Sequence, residues 1–148
     1  MKHLDFYFDF LSPYSFFAFT KHKEYLEGHA TTVTYKPVLM GKLFSHHEFR
    51  GPGDIPAKRA YELKKCFRIA SQLNIDFHPP HTFPFNPLAI IRLATKHASS
   101  DQTHFIIEKV FKLIWQNGLI LEDPEIILRE LKKEGVSQDV FDRSFEKE

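Results

Sequence analysis

The sequence predicts an α/β fold in which a βαβ unit is followed by helices. Three observations predict it: an alternating apolar run at the start, a capped helical segment directly after it, and a second run rich in β-branched residues that stops at Pro37. Every later candidate element shows the apolar spacing of a helix. A chain of 148 residues is long enough to form one hydrophobic core.

The first predicted strand is residues 4–10, which read LDFYFDF. Apolar side chains occupy the even positions, and Asp5, Tyr7 and Asp9 occupy the odd ones. This period of two is typical of a strand that is covered mainly on one face. We therefore expect Asp9 to lie on the polar face of the sheet.

A helix is predicted to begin directly after this strand, in the stretch LSPYS of residues 11–15. Ser12 suits the N-cap, and Pro13 suits the first helical position, where a backbone N–H would lack a partner. Gly28 suits the left-handed residue that ends a helix. The second strand, residues 31–36, would run parallel to the first through a right-handed crossover. That connection places Ser12 at the carboxyl edge of the sheet, where open α/β sheets bind ligands.

The rest of the chain is predicted to be helical. The first helix of this block follows the loop 51–56, and its predicted apolar face is Ala60, Leu63, Phe67, Ala70 and Leu73. The later start and stop signals are Asn86-Pro87 for a helix over 88–98, Ser100 or Asp101 for the next, Asp123-Pro124 for one that ends at Gly135, and Ser137 for a last helix to about Lys147. Two parallel strands are too few for a stable sheet, so further strands are expected.

Composition favours neither nucleic acid nor a membrane surface as a partner. The net charge is +1, from 20 Lys+Arg against 19 Asp+Glu, which gives no overall field that would attract an anionic polymer or lipid surface. The single cysteine, Cys66, excludes an intramolecular disulfide and fits a reducing compartment. The sequence has neither a membrane-spanning apolar run nor the apolar core of a signal peptide, so we expect a soluble, cytoplasmic protein.

Five stretches of the sequence resemble one enzyme family. They are FYFDFLSPYS (6–15), KPVLMGKLF (36–44), IPAKRAY (55–61), FPFNPL (83–88) and the block 115–126. These stretches are similar to segments of 2-hydroxychromene-2-carboxylate isomerases and the related kappa-class glutathione transferases, and they fall in the same order along the chain. The resemblance implies a DsbA-like, thioredoxin-like βαβ unit with an all-helical insertion domain. It assigns 1–40 to the βαβ part, 41–135 to the insertion, and 136–148 to the start of the return to the thioredoxin-like domain.

The resemblance also implies a glutathione-dependent isomerase. In this family the first serine of S-P-x-S hydrogen-bonds the sulfur of glutathione, and that position here is Ser12. The thiolate would add to an unsaturated aromatic keto-acid, permit rotation about the transiently single bond, and leave. The other ligand contacts that we expect are Pro13 and Lys58 with glutathione, and Tyr14, Tyr61 and Asn86 with the aromatic carboxylate substrate.

Each of these residues also has a purely structural interpretation. Ser12 and Asn86 are suitable helix caps, and Lys58 can belong to a solvated helix face. The two tyrosines can be core residues, as can Trp115. Arg59 is a weaker candidate cation than Lys58, and Ser15, one helical turn further along, is interpreted as structural.

The histidines do not predict a metal site. His46-His47 and the pair His78 and His81 match no recognised zinc spacing, and no cysteine lies near them in the sequence. We interpret them as solvated loop residues, so no metal is expected.

Two departures from the family pattern bear on function. Phe49 stands where glutathione-binding members commonly have an asparagine. The chain also stops at Glu148, before the ββα half with which the family continues, so we expect a continuation or a second chain to complete the sheet. The alternative function is a non-catalytic or truncated binding module of the same fold. Serines at positions 12 and 15 argue against a dithiol oxidoreductase, and a homodimer is expected.

Overall fold

The computed structural model describes residues 2–96 and 102–141. It contains one sheet, which pairs β1 (Lys2–Phe8) with β2 (Thr31–Pro37), and six α-helices in the described ranges. The helices are α1 (Pro13–Leu26), α2 (Met40–His46), α3 (Pro56–Leu73), α4 (Leu88–Lys96), α5 (Thr103–Trp115) and α6 (Pro124–Lys133). Two 3₁₀ turns cover Pro52–Asp54 and Gln138–Val140. The predicted α/β class is confirmed.

The βαβ unit forms as the sequence predicts. β1 and β2 are parallel, with a register that runs from Lys2 opposite Thr31 to Phe8 opposite Pro37. α1 packs back toward β2 through His22, which is buried and whose Nε2 lies 2.8 Å from the Tyr35 hydroxyl. Burial raises the pKa of Tyr35 to about 12, so the phenol keeps its proton and can donate to the histidine.

The strand boundary differs from the prediction. β1 ends at Phe8, two residues earlier than expected, and Phe10 and Asp9 belong to the turn that leads into α1. Both side chains are buried, with Phe10 at 0% and Asp9 at 4% exposure. The alternation applies only while the strand continues, so the turn brings Asp9 inward although the period of two predicts the polar face.

Phe111 of α5 lies at the centre of the core. Its ring centroid is 5.0–6.0 Å from the rings of Phe8, Phe10, Phe16 and Phe19, which come from β1, the turn and α1. Rings at these separations contribute both buried apolar area and favourable edge contacts. Phe111 therefore joins the helical block to the βαβ unit.

The helical block is largely as predicted, with differences in α2 and α3. The sequence does not predict α2, because it places the first helix of this block after the loop 51–56, and α2 contains His46, which the sequence analysis interprets as a loop residue. α4 and α6 begin next to the expected Asn86-Pro87 and Asp123-Pro124 signals. In α3, however, Leu63 and Phe67 are 40% and 47% exposed, while Cys66 and Ala70 are the buried residues. α3 lies over the core through a narrow stripe that is rotated from the expected face.

Several predictions fall partly or wholly outside the described residues. These are the end of the helix 88–98, the Ser100 or Asp101 cap, and most of the last helix, of which Gln138–Val140 is seen as a 3₁₀ turn. The division into 1–40, 41–135 and 136–148 stays a prediction. Within 2–96 and 102–141, no helix is both long and apolar enough to cross a membrane.

Phe111→Ala is expected to destabilise the fold by about 3–5 kcal/mol, because it leaves a cavity among four aromatic rings. Chemical denaturation followed by circular dichroism measures the change. Tyr25→Ala is the control, since Tyr25 is 72% exposed and its loss should change the free energy of unfolding by less than about 0.5 kcal/mol. Equal effects of the two substitutions would contradict this description of the core.

Candidate functional site

The candidate site begins at the turn between β1 and α1. Ser12 is the N-cap of α1, with φ −94° and ψ 112°, and its Oγ accepts a hydrogen bond from the Ser15 N–H at 3.1 Å. Its backbone N–H donates to the Asp9 carbonyl at 3.0 Å, which closes the turn. A serine hydroxyl that accepts in this way still has its own hydrogen to donate. Ser12 can therefore cap the helix and donate to a ligand at the same time.

Asp9 stabilises the same turn through its buried carboxylate. One of its carboxylate oxygens accepts from the Leu11 N–H and the other from the Met40 N–H, both at 2.8 Å. Burial raises the pKa of Asp9 above its usual range, and the two N–H donors partly oppose that shift. Asp9 thus connects the turn after β1 to the start of α2.

A cavity of about 800 Å³ opens in front of Ser12. Its walls come from the Ser12 turn, α2, the Pro52–Asp54 turn, one face of α3, the proline-rich loop 77–84 and the end of α5. Of the sequence-predicted site residues, Ser12, Pro13 and Tyr14 line it. A cavity of this size suits a ligand of small-molecule dimensions.

Part of the cavity wall is aromatic. Trp115 is 2% exposed. Its ring is stacked on that of Phe77, with the ring centroids 5.7 Å apart, and its centroid lies 5.8 Å from that of Phe83. Its Nε1–H donates to the Phe10 carbonyl at 2.8 Å, so the indole has a fixed orientation. These side chains line the cavity although Phe77 and Trp115 are almost fully buried, so this part of the wall is apolar and fixed in position.

Tyr14 is held at the side of the cavity by α3. Its hydroxyl donates to the Glu62 carboxylate, and Lys65 Nζ lies 5.3 Å from the centre of its ring. Burial, followed by the neighbouring Glu62, raises the pKa of Tyr14 well above its usual value. Tyr14 therefore remains a neutral phenol, and it is available as a ring surface since it is 39% exposed.

Cys66 also lines the cavity but is not a ready nucleophile. It is 1% exposed, and burial raises the pKa of its thiol to about 11. The thiolate is the reactive form of cysteine, so at neutral pH this side chain stays an inert thiol.

Arg59 is the one lysine or arginine among the described residues that line the cavity. Its Nη1 donates to the Phe83 carbonyl at 3.0 Å, which holds the guanidinium against the proline-rich loop. A guanidinium has further N–H donors, so Arg59 can still bind a carboxylate.

The structure does not bring Lys58 and Tyr61 to the cavity. The face of α3 that lines it carries Pro56, Arg59 and Leu63 at helical spacing, and Tyr61 falls nearly opposite with 60% exposure. Lys58 is likewise exposed to solvent. Their contacts with glutathione and substrate stay predictions that the cavity does not support.

Asn86 is also absent from the cavity lining and acts as a helix cap. Its Oδ1 accepts from the Leu88 N–H at 3.0 Å at the start of α4, and the residue is exposed. The structural interpretation therefore accounts for Asn86, and its contact with substrate stays a prediction.

Phe49, which replaces the family's asparagine, does not line the cavity either. It is 57% exposed and lies 5.2 Å from the ring of Phe44, which does line the cavity. Gly51 completes this contact, since a Cβ at that position would come within 2.7 Å of the Phe44 ring. Phe49 thus supports the cavity wall from outside.

Among residues 2–96 and 102–141, no group of three or more His, Cys, Asp or Glu side chains could hold a metal ion. His81 lines the cavity, whereas His46 and His47 contact each other, with ring centroids 5.0 Å apart.

Sequence reasoning missed Asp9 and Glu62 as site residues and ranked Arg59 below Lys58. The proximity of Asp9 to Ser12 in sequence was the available signal, but the alternation assigned it to the other face. The choice between neighbouring positions 58 and 59 depends on the rotation of α3, which the exposed apolar residues of this helix obscure.

The fold and this site define a thioredoxin-like protein in which a serine occupies the N-cap at the first strand–helix turn. Over residues 3–148 the chain matches the family described as DSBA-like thioredoxin domain. The chain therefore belongs to the DsbA-like thioredoxin family, as its motifs predict.

The chain is similar to two curated proteins that are named as kappa-class glutathione transferases. The chain is 30% identical to glutathione S-transferase kappa 1 of Caenorhabditis elegans over 56% of this chain and 37% of that protein. It is 29% identical to glutathione S-transferase kappa 2 of the same organism over 77% of this chain and 52% of that protein. The matches thus span about half or less of these relatives.

A solved structure of 2-hydroxychromene-2-carboxylate isomerase, with selenomethionine, shares the fold. The TM-score is 0.75 at 21% identity, and the match covers 94% of this chain and 69% of that chain.

The raised pKa of Asp9 predicts a pH-dependent cost to stability. Between the ordinary aspartate pKa of about 3.9 and the raised folded value, the folded state holds more protons than the unfolded state, so stability falls as pH rises. Asp9→Asn removes this titration. We expect the free energy of unfolding of wild type, minus that of the variant, to decrease as pH rises through this window. Urea denaturation of both proteins across the window measures it, and a constant difference would contradict it.

Proposed function

We propose that this protein is a glutathione-dependent isomerase that acts on an unsaturated aromatic keto-acid. The observation that carries the proposal is Ser12, whose hydroxyl caps α1, retains a hydrogen to donate, and lines a cavity with an aromatic wall. The kappa-class names of the curated relatives and the isomerase fold support it.

The residues at the turn fit a glutathione sulfur. The first turn of α1 carries the partial positive charge of the helix dipole, and Pro13 leaves no N–H of its own there. Such a helix end stabilises an anion by about 0.3–1 kcal/mol when exposed and by up to about 2 kcal/mol when partly buried. Together with a hydrogen bond from the Ser12 hydroxyl, this favours the thiolate over a thiol of ordinary pKa, about 8.5.

When bound, glutathione supplies a thiolate that adds reversibly to the unsaturated keto-acid, so that the substrate can rotate about the transiently single bond. The protein contributes orientation and charge. Phe77, Phe83 and Trp115 supply an apolar part of the cavity wall against which the aromatic ring of the substrate packs. Arg59 donates to a carboxylate, and the neutral Tyr14 ring closes the side of the cavity next to Ser12.

A glutathione transferase is the second candidate, favoured by the curated relatives, both of which are kappa-class transferases by name. The same residues would hold the thiolate and the aromatic electrophile. The two reactions differ in the fate of the carbon–sulfur bond: in the isomerisation it breaks again and releases glutathione, whereas in the transferase reaction it remains, by addition to the electrophile or by displacement of one of its groups. Product analysis distinguishes them: an isomer with free glutathione, or a stable glutathione conjugate. A homodimer and a cytoplasmic location also remain proposals.

Substitution of Ser12 tests the thiolate role. Ser12→Ala is expected to raise the pKa of the bound glutathione thiol and weaken binding, and to cost about 1 kcal/mol of stability through the lost cap. Ser12→Asp keeps a capping oxygen but places a negative charge beside the thiolate, so it should preserve stability and still lose thiolate formation. Thiolate absorbance in the ultraviolet, recorded against pH, measures ionisation, and Trp115, the single tryptophan, can report binding by its fluorescence.

The matched control for Ser12 is Ser15→Ala, because Ser15 takes part in the cap through its backbone N–H and not its side chain. Ser15→Ala should leave the thiol pKa and the affinity unchanged. Equal thiolate absorbance in wild type, Ser12→Ala and Ser12→Asp would exclude the proposed role, and so would a wild-type protein that does not bind glutathione.

Arg59 and Lys58 give a second paired test. Arg59→Gln removes the cation that lines the cavity and should weaken ligand binding by about tenfold, the order expected for one hydrogen bond to a charged group. Lys58→Gln removes the neighbouring cation outside the cavity and should change binding by less than about twofold. Titration calorimetry with glutathione and steady-state KM values for the keto-acid measure both. The reverse order of effects would assign the carboxylate to Lys58.

A further inference from the structure

We propose that Asp9 is a positioning residue of the glutathione site, which holds the α2 wall of the cavity against the Ser12 turn. The inference rests on the proposed function and adds to it a residue that does not need to touch the ligand. It is carried by the two carboxylate hydrogen bonds of Asp9, one to each side of the cavity.

The first side is the Ser12 turn itself. Asp9 accepts from the Leu11 N–H through its carboxylate and from the Ser12 N–H through its backbone carbonyl, at 2.8 and 3.0 Å. These two bonds fix the two residues that lead into α1. The orientation of the Ser12 hydroxyl therefore depends on Asp9 as well as on the Ser15 N–H.

The second side is the start of α2. The residue at the N-cap of this helix is Leu39, which forms no side-chain cap, and the Met40 N–H donates to Asp9 across 31 positions of sequence. Asp9 thus supplies from β1's end the acceptor that a serine or aspartate would normally provide locally. α2 in turn carries Gly41 and Phe44, which line the cavity.

A carboxylate is the side chain that meets both demands. Ionised, it offers an acceptor oxygen to each N–H, whereas asparagine would direct an NH₂ group at one of the two donors. Burial without a cationic partner among the described residues makes the charge costly to the fold. A costly buried charge that is hydrogen-bonded to two walls of one cavity is consistent with a positioning role.

Asp9→Asn tests this, with Asp5→Asn as the matched control. Asp5 lies in β1, four residues before Asp9, but it is on the exposed face and pairs with Lys36 at 2.6 Å. We expect Asp9→Asn to weaken glutathione binding on the order of tenfold, the effect of one lost charge-assisted hydrogen bond, and to increase hydrogen exchange at the Met40 amide. Asp5→Asn should change both by less than about twofold. Titration calorimetry and amide exchange by NMR give the two readouts.

A second pair of variants, at Met40, removes the donor of the Met40–Asp9 hydrogen bond instead of its acceptor. This pair tests the proposal if Asp9→Asn fails to fold. Met40→Pro removes the N–H donor at the first helical position, where proline is tolerated, and Met40→Ala removes the side chain but keeps the N–H. Met40→Pro should weaken binding by about tenfold more than Met40→Ala does.

The outcomes separate the two proposals. Wild-type protein that does not bind glutathione overturns the proposed function, and with it the site that Asp9 would position. Wild-type protein that binds, together with a folded Asp9→Asn that binds equally well, overturns the positioning role alone. Loss of binding in proportion to a fall in melting temperature, with the Met40 amide still protected, also overturns it, since that result describes a purely structural residue.

Discussion

The structure depends on how the chain satisfies its backbone at the turn between β1 and α1. Four residues separate the end of the strand from the start of the helix, and the N–H groups of this turn and of the first helical turn need acceptors outside the helix ladder. Asp9 and Ser12 provide three of these acceptors, through their two side chains and the Asp9 carbonyl group. The candidate site follows from this solution, because the same groups point a hydroxyl and a helix end toward the cavity.

The helical block is attached to that turn rather than simply to the sheet. Phe111 packs on the rings of both β1 and the turn, and Trp115 donates its indole N–H to the Phe10 carbonyl across 105 positions of sequence. The aromatic part of the cavity wall is consequently part of the core. Displacing a cavity-lining ring such as Trp115 would also disturb the packing that holds the turn, which couples the shape of the cavity to the stability of the fold.

The site combines groups with opposite energetic roles. The aromatic wall stabilises the protein by burial, whereas Asp9 places a charge where burial raises its pKa, and it is held by N–H donors instead of a cation. Cys66, in the same cavity, is kept as a neutral thiol by its surroundings. The cavity keeps the Cys66 thiol neutral, and Ser12 and the N-terminus of α1 line it. These features suit a thiolate that belongs to a ligand and not to the protein.

The sequence by itself determined the βαβ unit, the Ser12 cap with Pro13 after it, and the Asp123-Pro124 start of α6, because each depends on local propensity or on a bond between near neighbours. The family motifs predicted the DsbA-like fold to which those elements belong. Only the tertiary structure decided that Asp9 turns inward, that Arg59 and not Lys58 lines the cavity, and that Asn86, whose role as a cap the sequence predicted, lies away from it. The physical reason is that these outcomes depend on where a strand stops and how a helix is rotated, and both are settled by packing between segments distant in the chain.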